Sequence, residues 1–197
     1  MTDPSIAGTN VPDTTERSWI DTIGWLAPLA GLVVVILFFA NTQWYSVFKA
    51  VHVLGAIVWL GGGAAITVLA LRAQREQDNL ALLQIAKQAE WLGTRIFIPS
   101  SLVVVAMGFL LIEKSEGLYG YSDFWTLFGL SAWGVSFFVG ALFLGPESGR
   151  LARMMEAHGP DHPETQARLA RVLAVARADV VLIALIAADM VAKPFFA

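Results

Sequence analysis

The chain has 197 residues, of which 56% are hydrophobic and only 15% are charged, with a formal net charge of −3. A soluble domain carries about a quarter charged residues, so this balance indicates a membrane protein. The net charge is too small to indicate a nucleic-acid partner. Because the chain contains no cysteine, disulfides, thiolate metal sites, iron–sulfur clusters and cysteine nucleophiles are excluded.

The first 22 residues form an acidic leader. They contain one basic residue, Arg17, against four acidic ones, Asp3, Asp13, Glu16 and Asp21. A secretory signal needs a basic start and a short apolar stretch, and this leader has neither. We therefore predict a disordered segment over residues 1–22, followed by a single membrane helical domain over residues 23–197.

Five stretches of the chain are apolar enough to cross a bilayer, which requires about 20 mostly apolar residues. They lie at residues 23–40, 44–71, 96–112, 124–144 and 178–192. Rows of small residues, which let helices approach closely in lipid, recur on the last two stretches as Ala132, Ser136 and Gly140, and as Ala184, Ala188 and Ala192. The sequence thus predicts an all-α integral membrane protein. Spans two to five would form a four-helix core bundle over residues 44–197, with an extra N-terminal helix at 23–40.

The distribution of lysine and arginine predicts the orientation of these spans. Nine of these residues lie in two segments, 72–95 and 146–177, whereas only Lys49, Lys114 and Lys193 lie at the opposite ends of the spans. Basic loops remain in the cytoplasm. We therefore predict a multi-pass protein of the bacterial cytoplasmic membrane, with its N-terminus inside and its C-terminus outside.

Both basic segments are predicted to be helical, so that two helical hairpins extend beyond the bilayer. Asp78 is a suitable N-cap for the helical periodicity that follows it. Pro99 would bend this helix near its entry into the membrane. Gly159 and Pro160 would end the next helix, and Pro163 would begin the last one.

Polar side chains inside a membrane are candidates for function. His52 and Lys49 lie one helical turn apart on the second span. Asp189 and Met190 lie near the outer end of the fifth span, and Met107 approaches the same level on the third. These candidates therefore converge on the outer third of the bundle.

The residue pattern leaves three interpretations of His52 open. It could ligate haem b, for which a membrane four-helix bundle is a common host. It could bind copper together with Met107 and Met190, because imidazole and thioether groups suit copper. It could also be a neutral imidazole that bonds a backbone carbonyl or Asp189 and fixes the helix register. Asp189 and Lys49 could simply neutralise each other.

Two motifs carry a resemblance to known membrane proteins. The stretch FKAVHVLGAIVWLGGGAAITVLALR resembles the first core helix of bacterial proteins typified by the copper-resistance D transmembrane domain and the HemJ-type protoporphyrinogen oxidase. The ending DMVAKPFF resembles that of an uncharacterised family of predicted integral membrane proteins related in pattern. The resemblance covers residues 44–194 and implies that His52 is a haem ligand with Lys49 as its neighbour.

The expected function is therefore that of an integral membrane protein that binds haem b in a redox-linked role. A second hypothesis is a non-catalytic accessory subunit that docks on a larger membrane complex through the first span. Copper transport or homeostasis is a third. Besides lipid, the expected partners are such a complex or further copies of the chain. Whether the protein is an enzyme stays open, since any chemistry would be that of a cofactor.

Overall fold

The computed structural model describes residues 44–192, and this part of the chain is folded as four long helical rods joined by short turns. The first rod is α1, Trp44–Arg75. The second consists of α2, Asn79–Leu92, a first π segment, Gly93–Phe97, and α3, Ile98–Glu113. The third consists of α4, Phe124–Phe138, a second π segment, Val139–Leu144, and α5, Gly145–His158. The fourth is α6, Pro163–Ala192.

Three of these rods are long and apolar enough to cross a membrane, as judged from length and composition: Trp44–Arg75, Asn79–Glu113 and Phe124–His158. They contain three of the predicted spans, at 44–71, 96–112 and 124–144. Their outward surface is apolar as well, since large side chains such as Leu54 and Ile57 are each 60% exposed. A surface of this kind suits contact with lipid tails.

The other two predicted spans are not established by the structure. The predicted span 178–192 is helical as part of α6, but Arg177, Asp179 and Asp189 lie in this half of the helix. The predicted span 23–40 and the acidic leader lie outside the described residues. The fold is therefore all-helical with three apolar rods, and the count of five spans stays a prediction.

The predicted helix ends are confirmed. The side chain of Asp78 accepts a hydrogen bond from the backbone N–H of Ala81 at 2.9 Å, as an N-cap does. Helix α5 ends at His158, directly before Gly159, whose φ of 84° is open to glycine but strained for other residues. Helix α6 begins at Pro163.

Each of the two composite rods changes to a π turn shortly before a proline. The π segments end at Phe97 and Leu144, and Pro99 and Pro146 follow two residues later. Proline has no N–H to donate, and its ring clashes with the preceding turn. Widening the helix by one residue is one way to relieve that clash. The helix predicted to bend at Pro99 therefore continues through it by means of a π turn.

The described bundle has two hydrophobic clusters. One lies in its polar half (the end of α1, α2, α5 and the start of α6), and the other lies in its apolar half (the rest of α1, α3, α4 and the rest of α6). The first contains Ala70, Ala73, Leu82, Ala86, Leu151, Ala152, Met155, Leu169 and Leu173. The second contains Trp59, Ala132, Ile183 and Ile186. The helical extensions thus have a packed core of their own, and ion pairs such as Lys87–Glu156 join α2 to α5.

The two predicted rows of small residues differ in burial. Ala132 and Ser136 are buried in α4, as predicted. Ala184 and Ala188 of α6 are exposed, so the expectation that this row packs inside the bundle is wrong for the described chain. Ile183 and Ile186 of the same helix are buried instead, in the cluster that contains Trp59.

Candidate functional site

His52 lies where α1 packs tightly against α3. Its Nδ1 is 2.8 Å from the backbone oxygen of Val104. A carbonyl can only accept a hydrogen bond, so Nδ1 carries the proton and the acceptor nitrogen of the ring is Nε2. Two glycines allow this approach. A Cβ at Gly108 would be 3.4 Å from His52 Cε1, and one at Gly55 would be 2.8 Å from Val104 Cγ2.

Lys49 is one turn from His52 on α1 and is exposed. The predicted neutralisation of Lys49 by Asp189 is not seen, since no ion pair joins these two residues among positions 44–192. Asp189 instead faces α4, where its Oδ2 would be 3.7 Å from a Cβ at Gly129. This oxygen is buried and has no hydrogen-bond partner within the described chain.

The two methionines considered as copper ligands have different surroundings. Met190 packs beside the cluster of the apolar half that contains Trp59, and its methyl group occupies the space that a Cβ at Gly129 would need. Met107 is half-buried on α3, next to Gly108. His52 thus engages α3, whereas Met190 engages α4. In the described part of the chain, no group of three or more His, Cys, Asp or Glu side chains could hold a metal ion.

A cavity of about 140 Å³ lies among the described helices and is lined by residues of α1 to α6. Its walls are mostly apolar and include Trp59, Phe97 and Ile183. Both π segments contribute to them. His52 is not among the lining residues, so the cavity and the predicted cofactor position are separate features of the bundle.

The cavity contains one carboxylate that the sequence analysis overlooked, that of Asp179. The hydroxyl of Ser136 is a polar neighbour of this carboxylate. Even so, Asp179 Oδ1 and Ser136 Oγ are both buried and form no hydrogen bond of ordinary geometry with any described residue. The rule that selected Asp189, an acid within an apolar stretch, also applies to Asp179. Asp179 was overlooked because it lies beside Arg177 at the start of the predicted span, where charged residues usually lie at the membrane surface.

Comparison with known proteins gives one match. Residues 46–194 fit the model of a family described as predicted integral membrane protein, DUF2269. This match covers nearly all of the four rods. No curated protein and no solved structure matches the chain.

Proposed function

The chain belongs to the DUF2269 family of predicted integral membrane proteins, and from this premise we propose that its core binds haem b through His52. The observation that supports the proposal is the hydrogen bond from His52 Nδ1–H to the Val104 carbonyl. Histidines that bind metals usually donate their second N–H to such an acceptor, which fixes the ring and makes the other nitrogen the ligand. In this tautomer, Nε2 is the ring nitrogen with the lone pair that a haem iron would require.

Two residues near His52, Gly108 and Lys49, suit the binding of haem b. Gly108 leaves the face of α3 without a side chain beside the imidazole. Lys49, one turn away and exposed, is a cation that could pair with a haem propionate. Asp189, predicted at a similar depth on α6, faces α4 and not His52. When bound, haem b would supply one-electron chemistry, and the role of this chain would be to orient the group and exclude water from it.

An absorption spectrum tests this proposal. The protein would be expressed with added haem, purified in a non-ionic detergent, and examined for a Soret band. We expect the band in the wild type and its loss in His52→Ala. His158→Ala is the matched control, since His158 is exposed at the end of α5 and should leave the band unchanged. Colourless wild-type protein, or a Soret band that survives in His52→Ala, would overturn the proposal.

We also propose that the polar half of the bundle lies in the cytoplasm of a bacterial cell, with the turn at residues 114–123 outside. The chain has no native cysteine, so single cysteines can report their side of the membrane. A membrane-impermeant maleimide should label Ser122→Cys in intact cells and should leave Gln166→Cys unlabelled until the cells are broken. The reverse pattern would contradict this orientation.

A further inference from the structure

The cavity described above has the features of a ligand site that is independent of His52. It lies at the level where both composite rods change to π turns, which are frequent at functional sites. We propose that it binds a small organic cation, an amine with an apolar body, whose ammonium group is held by Asp179 and Ser136.

The polar groups of the cavity define the charge of the ligand. Asp179 is the single acidic residue among the lining residues in the described chain, and no lysine or arginine lines the cavity. A carboxylate placed in apolar surroundings is costly unless it has a partner. Asp179 Oδ1 and Ser136 Oγ can both accept hydrogen bonds and both are without one from positions 44–192. An ammonium group would donate to each of them.

The other hydroxyl groups favour an organic cation over a metal ion. Thr67 donates to the Gly63 carbonyl at 2.8 Å, and Ser101 donates to the Ile98 carbonyl at 2.9 Å, so both are already used within their own helices. Ser148 adds one more hydroxyl to the lining. A metal ion requires several oxygen ligands around it. One carboxylate and the hydroxyls of Ser136 and Ser148 are too few for such a shell. Asp179 and Ser136 suffice for two of the three N–H groups of an alkylammonium ion.

The volume and walls of the cavity set the size of the ligand body. A cavity of about 150 Å³ lined by apolar side chains holds a benzene-sized molecule, and the present one measures about 140 Å³. Its aromatic and aliphatic walls, which include Trp59, Phe97 and Phe137, would surround such a body. The predicted ligand class is therefore a primary amine with a single ring or a short branched chain.

Binding of three compounds of similar shape tests this proposal on the unmodified protein. Benzylamine, benzyl alcohol and phenylacetate share a ring and differ in charge. Their affinities would be measured by titration calorimetry on protein in a non-ionic detergent, with empty micelles titrated in parallel to subtract partitioning. We expect benzylamine to bind at least about tenfold more tightly than the alcohol, because its hydrogen bonds to the carboxylate are charge-assisted. Phenylacetate should not bind.

Two substitutions in α6 then locate the site. Asp179→Asn should abolish the preference for benzylamine over benzyl alcohol, whereas Glu164→Gln should leave it intact, since Glu164 is exposed and does not line the cavity. Equal affinities of the wild type for amine and alcohol would overturn the proposal, as would equal losses in both variants. If Asp179→Asn does not fold, the ligand series on the wild type decides the question, and Ser136→Ala, expected to weaken amine binding alone, replaces it.

Discussion

Replacing Glu147 by glutamine tests how the polar half of the bundle is held together. Glu147 lies in α5, beyond the predicted span 124–144, and its side chain is only 11% exposed. One carboxylate oxygen accepts a hydrogen bond from Arg150 of the same helix at 2.6 Å, and the other accepts one from Arg168 of α6. The glutamine side chain keeps the shape of this group but removes its charge.

The two arginines should contribute unequally because they differ in burial. The Arg168 side chain is 31% exposed, whereas that of Arg150 is 60% exposed. Removing one partner of a buried ion pair costs about 3–5 kcal/mol, and exposed pairs contribute about 0–1 kcal/mol. The pair with Arg168 lies between these limits, at about 2 kcal/mol, and the pair with Arg150 contributes at most about 0.5 kcal/mol. We therefore expect Glu147→Gln to lower the free energy of unfolding by about 2–3 kcal/mol.

Two double-mutant cycles separate these contributions. Glu147→Gln would be combined with Arg168→Gln in one cycle and with Arg150→Gln in the other, so that the same carboxylate serves as its own control. Unfolding would be followed by circular dichroism as an ionic detergent is titrated into non-ionic micelles. A coupling energy for positions 147 and 150 equal to or above that for 147 and 168 would refute the argument from burial.

Three further predictions follow from the same structure. The hydrogen bond from Arg150, together with the charge of Arg168, holds the pKa of Glu147 below its ordinary value of 4.5. The stabilisation by this carboxylate is therefore present above that value and is lost as pH falls through the lowered pKa. The stability advantage of the wild type over Glu147→Gln should shrink from about pH 5 to pH 3, and an advantage independent of pH would contradict this. A Cβ at Gly62 would lie 2.5 Å from the Phe97 ring, whereas one at Gly61 would meet no atom within 4 Å. Gly61→Ala should therefore raise the melting temperature, and Gly62→Ala should lower it. The opposite order would contradict the packing of α1. Asp78→Ala removes an N-cap bond and should cost about 1 kcal/mol in the same unfolding titration, whereas Asp161→Ala, at an exposed turn position, should cost less.

The parts of the fold that could be predicted from sequence depend on local chemistry. An aspartate cap needs only a backbone N–H three residues ahead, as Asp78 has in Ala81. A Gly-Pro pair ends a helix, and a proline begins one, because of their own backbone geometry. Apolar stretches of sufficient length identify three rods in the same way. Each of these signals lies within a few residues of the feature that it predicts.

The features that were missed depend on contacts between helices. The burial of Asp179 Oδ1 near Ser136 requires α4 and α6 to be placed side by side, and no spacing within either helix contains that information. The exposed face of Ala184 and Ala188 shows the same limit, since a row of small residues permits close packing without stating that a partner is there. The π segments were signalled by Pro99 and Pro146, but a proline alone does not decide between a bend and a widened turn.

The two π segments also set how far one half of each composite rod is rotated around the helix axis relative to the other half. A π turn contains one residue more than the α-turn that it replaces, which rotates everything after it by about 100° around the helix axis. Deleting one residue from Val139–Leu144 would restore a regular helix and turn Ser136 away from Asp179 if α5 kept its ion pairs. Members of the family with one residue fewer at this point would then keep the polar half and lose the cavity. A single-residue gap in an alignment of relatives would thus be a readable sign of whether each of them has the carboxylate site.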